Sequence, residues 1–204
     1  KYLKKALIIE NNNISALRNL GMIYSHIGNL DEAISYLDKT INLDSNDHQS
    51  KYILAQIQLY KKRFKEGWKN YESRWLCEYF KEKKFFSSKP LVSNLDNLNN
   101  VFLWPEQGIG DQIMYGSMIN QLSKLCNKLT VRLDERLIKL FEKKNIEIKF
   151  IGKKDNINDA EFDHHMSLVD LGKFFRLNTN EFKKTKFPYI TYKKKLYTKI
   201  KNSN

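Results

Sequence analysis

The stretch VFLWPEQGIGDQIMYGS, residues 101–117, decides how the second half of this chain is expected to fold. It begins with an apolar run at 101–104, passes through a turn that contains Gly108 and Gly110, and then places apolar residues at intervals of three and four. A buried run that changes to helical spacing predicts a strand, a turn and a helix. We expect the two glycines to adopt positive φ angles and to let the backbone approach a ligand.

The predicted turn leads into the amino end of a helix, where free N–H groups and the helix dipole favour an anion. The same residues are also consistent with a tight strand-to-helix turn in which Asp111 caps the helix. Two glycines separated by one residue, without the later glycine of the dinucleotide fingerprint, do not predict NAD binding.

Strand-like and helix-like segments alternate after residue 100. The predicted strands are 101–105, 128–133, 147–151 and 162–165, and the predicted helices are 111–126, 134–144 and 168–177. This alternation predicts a parallel sheet built from βαβ units. Ligands of such sheets bind at the carboxyl ends of the strands, where the loop 106–111 is expected to lie.

Residues 14–47 carry the pattern of a helical hairpin. Apolar and small residues recur at helical spacing on both sides of a turn, namely Leu17, Leu20, Gly21 and Tyr24 before it and Ala33, Ile34, Leu37 and Ile41 after it. A more divergent copy of this pattern lies one hairpin length further along the chain. The end of an earlier copy lies one hairpin length before the pattern, at 3–6. We expect the small residues Gly21 and Ala33 to face each other where the two helices approach closely.

This period and pattern resemble the tetratricopeptide repeat, which would give a partial, a full and a divergent repeat within residues 1–80. The resemblance implies a repeat face that binds a protein or peptide partner. A generic pair of helical hairpins is the alternative interpretation.

A single helix is predicted for residues 64–80. Its aromatic residues, at steps of three and four, are Trp68, Tyr71, Trp75 and Tyr79. We interpret this stripe as a packing surface that docks the last repeat onto the next domain, although a stacking platform for bases or sugars is the alternative. Residues 81–100 are rich in Lys, Ser and Asn and are predicted to be a linker.

The net charge of +13 is concentrated in residues 48–90 and 181–204, while the region around the glycine-containing turn is neutral. Lysine outnumbers arginine thirty to six, and arginine is the preferred residue for reading phosphates and bases. We therefore do not expect nucleic-acid binding, although a basic surface for nucleic acid is a third possibility.

Two other classes are not indicated by the sequence. No apolar run approaches the roughly 20 residues needed to cross a bilayer, so no membrane span is expected. Cys77 and Cys126 have neither metal-ligand nor disulfide spacing. We therefore predict no metal site and a reducing, cytoplasmic location.

Several segments recur, in this order, in bacterial tetratricopeptide proteins that carry a glycosyltransferase-like domain. They are GWKNYESRW at 67–75, KPL at 89–91, WPEQGIGDQIMYGSMI at 104–119, and a later pattern at 163–171 and 187–189. The chain resembles this family over nearly its whole length. The resemblance implies all-α tetratricopeptide helices followed by an α/β Rossmann-like domain, the N-terminal half of a GT-B fold of the kind found in heptosyltransferases. The implied divisions are 1–80 for the repeats, 81–100 for a linker, 101–192 for the Rossmann-like half and 193–204 for a basic tail or interdomain linker.

This chain departs from the family pattern in ways that bear on activity. The family usually has a Trp and a Gly in the linker before the first strand, where 91–99 reads LVSNLDNLN. Ser167, Asp170 and Gly172 stand where the family has Pro, Ser and Pro. The chain also ends about where the second, donor-binding half of a GT-B enzyme would begin. We therefore expect no cofactor in this fragment, a nucleotide-sugar donor for the full-length protein, and no activity of the fragment alone.

The resemblance places Asp111 where heptosyltransferases have their proposed catalytic base, with Glu106 as a second candidate. The expected substrate-binding residues are Gln107, Gly108, Gly110, His164 and His165. Helix capping is the alternative role for Asp111, and a structural role is the alternative for the two histidines.

Two functions follow for the whole protein. The first is a sugar transferase that uses a nucleotide-sugar donor and a glycan or protein acceptor, with this chain as its acceptor-side half. The alternative is a non-catalytic repeat scaffold that binds protein partners.

Overall fold

The computed structural model describes residues 2–142, 147–185 and 189–190. The chain divides into two compact units, Lys1–Lys81 with Leu177–Thr179, and Glu82–Arg176 with Asn180–Asn204. We call these the helical unit and the sheet unit. The predicted helix end at 143–144, the motif residues 187–188, the end of the predicted Rossmann-like half at 191–192 and the predicted basic tail at 193–204 lie outside the described residues.

The helical unit consists of short helices joined by tight turns. Its α-helices are α1 (Tyr2–Ile9), α2 (Ile14–His26), α3 (Leu30–Leu43), α4 (His48–Tyr60) and α5 (Phe64–Tyr71), and a 3₁₀ helix follows at Glu72–Leu76. Helices are the predicted secondary structure for this part of the chain, and this prediction is confirmed.

The backbone of the helical unit repeats with a fixed spacing. The starts of α2 and α4 are separated by the same number of residues as the starts of α3 and α5. The cap residues repeat as well: the Asn13 side chain accepts a hydrogen bond from the Ala16 amide, and the Asp47 side chain accepts one from the Ser50 amide. These caps satisfy N–H groups that have no partner within the helix. The same local interactions therefore define both hairpins.

Close packing in the first hairpin depends on a glycine. A Cβ atom added to Gly21 would lie 2.7 Å from Leu37 side-chain atoms and 3.4 Å from the Ala33 carbonyl oxygen. Gly21 thus faces Leu37 together with the backbone of Ala33, whereas the sequence predicted a contact with Ala33. Ala33 and Leu37 are both fully buried, and with Leu54 and Ile57 they form the core of this unit.

The predicted single helix over 64–80 is wrong after Tyr71. The Arg74 guanidinium stacks on the rings of Tyr71 and Trp75 and donates a hydrogen bond of 3.2 Å to the Tyr71 carbonyl. That carbonyl would otherwise accept from the amide of Trp75 in a continuing α-helix. Trp68 and Tyr71 are buried as expected, but Tyr79 lies beyond the helical segment and is 71% exposed. The four aromatic residues therefore do not form one stripe.

The sheet unit contains four parallel strands. They are β1 (Leu98–Trp104), β2 (Cys126–Arg132), β3 (Lys149–Ile151) and β4 (His164–Ser167), in the spatial order β3-β2-β1-β4. The predicted parallel pairing of the first two strands is confirmed. The first strand begins three residues earlier than predicted, and the fourth lies two residues later.

Short helices connect the strands of the sheet unit. They are α6 (Ile109–Gly116), α7 (Ile119–Leu122), α8 (Glu135–Glu142) and α9 (Leu171–Phe175). The predicted continuous helix over 111–126 is wrong, because the helix breaks at Ser117–Met118 and Cys126 already belongs to β2. A Cβ atom at Gly116 would lie 2.5 Å from the Phe141 ring, so the end of α6 packs directly against α8.

The two faces of the sheet are covered differently. Val101 and Leu103 belong to the apolar core formed with the helices α7, α8 and α9. The alternate residues of the same strand, Phe102 and Trp104, are also buried, and the ring of Phe85 contacts both of them. Within the segment predicted as a linker, Val92 is buried and its amide donates to the His165 carbonyl. Part of residues 81–100 therefore packs along the β4 edge and over one face of the sheet.

None of the helices in the described part of the chain is long and apolar enough to cross a membrane. Cys77 and Cys126 are both free thiols. Burial raises the pKa of the Cys126 thiol to about 11.

Candidate active site at the carboxyl edge of the sheet

The strand order identifies where a ligand is expected to bind in the sheet unit. From β1 the chain proceeds outward through β2 to β3, and then returns to β4 on the other side of β1. The order therefore reverses between β1 and β4, and open parallel sheets bind ligands at the carboxyl ends of strands at such a reversal. The loops that leave this position are 105–108, after β1, and 168–170, after β4.

Glu106 joins these two loops. Its carboxylate is 3% exposed and accepts a hydrogen bond from the Ser167 hydroxyl at the end of β4. The Ser167 hydroxyl oxygen in turn accepts a hydrogen bond of 3.1 Å from the Val169 amide, and the Gln107 side chain lies 3.4 Å from the other Glu106 oxygen. A buried carboxylate bonded at both oxygens holds the loop in place, because breaking the bonds would leave a desolvated charge.

Gln112 connects the same loop to the end of β2. Its side chain is buried, donates a hydrogen bond of 3.1 Å to the Gln107 carbonyl and accepts one of 2.8 Å from the Asp134 amide. One amide group in the first turns of α6 therefore fixes the loops that follow β1 and β2. The backbone from 106 to 108 is held from both sides at the carboxyl edge.

Asp134, the residue that precedes α8, is an acid at this edge whose pKa is lowered. Hydrogen bonds from the Arg136 side chain, 2.8 Å and 3.0 Å long, lower the pKa of the Asp134 carboxyl to about 2. The Asp134 side chain also accepts from the Arg136 amide. Asp134 therefore stays ionised and hydrogen-bonded to Arg136 at neutral pH.

Gly108 and Gly110 have ordinary backbone conformations, so the predicted positive φ angles are wrong. Gly108 precedes α6 with a φ of −65° and a ψ of 179°, and Gly28 in the helical unit is the glycine that has a positive φ among the described residues. A Cβ atom added to Gly108 or Gly110 would meet nothing within 4 Å. The backbone of this turn is thus open to solvent on the side where a side chain would stand.

Asp111 lies in the first turn of α6, two residues after its first residue, and is partly buried. The helix is preceded by Gly108 and has no side-chain cap, so Asp111 does not cap it. Within the described residues, the Asp111 carboxylate has no hydrogen bond or ion pair. The helix dipole favours a negative charge at this position. Asp111 therefore has a carboxylate without a hydrogen-bond partner among the described residues, and it lies next to the accessible backbone of Gly108 and Gly110.

His164 and His165 lie away from this edge. They begin β4 and pair with Val101 and Phe102, so they are at the amino end of the strand, whereas the sequence suggested the end of a strand. His165 is buried, accepts a hydrogen bond of 3.0 Å from Trp104 Nε1 and contacts the Lys89 carbonyl through its other ring nitrogen.

The contacts of His165 fix its chemistry. Tryptophan can only donate and a carbonyl can only accept, so His165 is the neutral tautomer that carries its proton on Nε2. Burial lowers its pKa, which keeps the ring neutral. Neither ring nitrogen of His165 is free to bind a ligand. Because both histidines lie at the amino end of β4, we do not include them in the proposed site.

Ser167 and Gln112 were not predicted as residues of this edge. Both are buried polar side chains whose partners come from other elements. Ser167 stands where the family pattern has a proline, and this difference was the feature of the sequence that could have drawn attention to Ser167. Among the described residues, no group of three or more His, Cys, Asp or Glu side chains could hold a metal ion.

Comparisons with known proteins leave the family of this chain unassigned. No protein-family model matches the chain. No curated protein matches it. Among solved structures, it is similar to a mutant of the O-GlcNAc transferase of Thermobaculum terrenum, at 11% sequence identity and a TM-score of 0.33. The match covers 78% of this chain and 38% of that one, so the chain spans well under half of that transferase's length.

Proposed function

We propose that this chain is the acceptor-side half of a sugar transferase that uses a nucleotide-sugar donor. In this proposal the sheet unit is the N-terminal half of a GT-B fold, and a second α/β half binds the donor. The observation that carries the proposal is Asp111, an uncommitted carboxylate beside an open backbone where the strand order reverses.

Asp111 would act as the general base of an inverting transfer. Its carboxylate takes the proton of an acceptor hydroxyl while the hydroxyl oxygen forms a bond to C1 of the donor sugar. The bond between C1 and the phosphate oxygen breaks, and the nucleoside diphosphate leaves with the electron pair. The acceptor therefore has to lie against the open side of Gly108 and Gly110, where no atom of the described residues lies within 4 Å of an added Cβ atom.

Glu106 would position the loop. Both of its carboxylate oxygens already have partners, in Ser167 and Gln107, and its side chain is buried. We therefore assign the base to Asp111, and we assign to Glu106 the role of holding 106–108 at the carboxyl edge. Gln107 is half-buried next to it, and its backbone carbonyl is fixed by Gln112.

The helical unit would be an array of tetratricopeptide-type repeats that presents a partner or an acceptor protein. The regular recurrence of helix starts, caps and turns supports this interpretation. It also supports the second candidate function, a non-catalytic scaffold, because α2 and α4 line a groove of about 370 Å³. The groove presents polar and apolar side chains that suit a peptide, among them Asn19, Met22, His26, Tyr52 and Gln56.

A donor panel tests the transferase proposal. The gene product that contains residues 1–204 is incubated with uridine, guanosine and adenosine diphosphate sugars, and release of the nucleoside diphosphate is measured with and without protein and glycan acceptors. We expect one class of donor to be consumed, and consumption to increase when acceptor is added. If a folded gene product consumes none of the donors, the transferase proposal fails and the scaffold becomes the better interpretation.

A further inference from the structure

A cavity of about 310 Å³ lies in the sheet unit, away from the carboxyl edge. Its lining comes from the segment that follows α6 and from the end of the 3₁₀ helix Thr179–Lys184, and consists of Ser117, Asn120, Gln121, Lys124, Lys184, Thr185 and Tyr189. Helix α6 starts at the carboxyl edge and ends just before this lining begins. Eight helical residues span about 12 Å, so the cavity is separate from the surroundings of Asp111.

The hydrogen bonds around the cavity leave it with both acceptors and donors. The Ser117 hydroxyl donates to the Met114 carbonyl and the Tyr189 hydroxyl donates to the Ile113 carbonyl, so these two hydroxyl oxygens can only accept from a ligand.

The donors include two side chains that Arg176 contacts. Arg176 is 4% exposed, and it donates a hydrogen bond of 3.0 Å to Gln121 Oε1 and one of 2.5 Å to Thr185 Oγ1. Arginine has no acceptor atom, so the atom of Gln121 that it contacts has to be the oxygen. Gln121 can therefore offer a ligand its amide N–H groups, and Thr185 can offer its hydroxyl proton.

The charge of the lining agrees with these donors. Lys124 and Lys184 contribute two lysine side chains, and none of the described residues in the lining is an Asp or a Glu. Glu181 is the acid that interacts with the guanidinium of Arg176 and raises its pKa, against the larger lowering caused by burial. Glu181 is not among the residues that line the cavity. A ligand in this cavity thus meets donors from two lysines, the Gln121 amide and the Thr185 hydroxyl, and acceptors from the Ser117 and Tyr189 hydroxyl oxygens.

We propose that this cavity binds the phosphate group of a soluble phosphorylated small molecule. Tetrahedral phosphate oxygens accept several charge-assisted hydrogen bonds at once, which matches the two cations and the Gln121 and Thr185 donors of the lining. The Ser117 and Tyr189 acceptors suit hydroxyl groups on the organic part of the ligand. The volume leaves room for a small organic group beyond the phosphate. The site does not depend on the sugar-transfer proposal, since it shares no residue with the loop 106–111.

Calorimetric titration with inorganic phosphate, pyrophosphate and glucose 1-phosphate tests the site. We expect one bound ligand per chain and a loss of affinity of about tenfold or more in the double variant Lys124→Gln/Lys184→Gln, because charge-assisted bonds are the strong contacts here. Thr185→Val removes the hydroxyl donor while retaining the side-chain shape, and we expect it to weaken binding as well.

A matched control separates the site from the general positive charge of the chain. The double variant Lys65→Gln/Lys139→Gln loses the same charge at two exposed positions, on α5 and α8, outside the cavity lining. We expect its affinity to equal that of the wild type. Equal losses in the two double variants, or no saturable binding to the folded wild type, would overturn the proposal. Binding only to vesicles of phosphatidic acid, with none to glucose 1-phosphate, would also overturn it.

Discussion

The side-chain hydrogen bonds of the helical unit and of the sheet unit differ in how far apart their two partners lie in the sequence. In the helical unit, the caps Asn13 and Asp47 each bond an amide three residues ahead. At the candidate site of the sheet unit, the bond between Ser167 and Glu106 spans 61 residues. The bond between His165 and Lys89, at the other end of β4, spans 76 residues.

This difference determines how the effect of a substitution can be checked in each unit. In the helical unit, equivalent positions of the two hairpins have the same local surroundings, so the effect of a substitution can be checked at its counterpart. In the sheet unit, buried polar side chains such as Ser167 and His165 have distant partners and no counterpart elsewhere in the unit. The following substitutions test whether this distinction holds.

Asp47→Ala should have the largest effect on stability. Asp47 caps α4, and it also accepts two contacts of 2.6 Å from the Arg18 guanidinium. Its side chain is buried while that of Arg18 is 30% exposed, so we expect a loss of about 2–4 kcal/mol, below the full cost of breaking a buried pair.

The counterpart Asn13→Ala removes a cap and an exposed hydrogen bond to Glu10 but no ion pair, and it should cost about 1 kcal/mol in urea unfolding. Hydrogen exchange should show loss of protection in α2–α5 of the Asp47→Ala variant while β1 keeps its protection. If the two variants lose the same stability, the ion pair with Arg18 contributes nothing and the two caps are energetically equivalent.

Gly21→Leu should destabilise the helical unit by about 1–3 kcal/mol, because even a Cβ atom would overlap Leu37. Gly110→Ala in α6 is the opposite case. Its new methyl group meets no atom within 4 Å, and alanine favours a helix by up to about 1 kcal/mol over glycine. Thermal unfolding of the two variants measures both effects. A stability of Gly21→Leu equal to that of the wild type would contradict the close approach of α2 and α3.

Lys62→Gly should stabilise the chain slightly. Lys62 has a φ of +61° and occupies the turn position of the second hairpin that Gly28, with a φ of +81°, occupies in the first. The left-handed conformation costs a side-chain-bearing residue about 1–2 kcal/mol, and glycine loses roughly 0.5–1 kcal/mol through its freedom in the unfolded chain. We expect a net gain of up to about 1 kcal/mol in urea unfolding.

Two variants control for this gain. Gly28→Ala should lose about 1 kcal/mol, since alanine would have to adopt the left-handed conformation. Lys65→Gly inside α5 should lose about 1 kcal/mol because glycine weakens a helix. A loss of stability in Lys62→Gly would show that the two turns are not equivalent.

The smallest expected effect is the acid response of Asp134 in the sheet unit. The folded-state pKa of about 2 lies below the ordinary value of an aspartate near 3.9. Its contribution to stability is therefore present above about pH 4 and disappears as the pH falls through about 2. Arg136→Gln should raise the pKa towards 4, as followed by carbon NMR of the Asp134 carboxyl. An unchanged midpoint would mean that Arg136 is not the cause.

The helical unit could be predicted closely from its sequence because its determinants are local. The helical hairpin predicted over 14–47 is formed by α2 and α3, which extend from Ile14 to Leu43. The exception is the segment after Tyr71, which continues as a 3₁₀ helix and in which the Arg74 guanidinium bonds the Tyr71 carbonyl. The spacing of the aromatic residues gave no sign of this change.

In the sheet unit the sequence predicted the parallel pairing but not the buried polar contacts. The fourth strand was placed two residues early, so Ser167 lay outside the predicted strand. His165 and Ser167 are buried where Trp104, Lys89 and Glu106 supply their hydrogen bonds from 61 to 76 residues away. Of the candidate site, the loop 106–111 could be predicted, whereas its attachment to β4 through Ser167 could not.

The rate of sugar transfer by Asp111→Asn tests the central claim most directly. Asparagine retains the shape of aspartate but removes the base, and Asp111 holds no hydrogen bond within the described residues that would be lost. With the donor identified from the panel, transfer by the gene product should fall by about 10²–10⁴-fold, the usual scale of general base catalysis, while the melting temperature stays close to that of the wild type. Asp96→Asn, in the exposed turn before β1, should transfer at the wild-type rate. Wild-type transfer by a folded Asp111→Asn variant would contradict the claim.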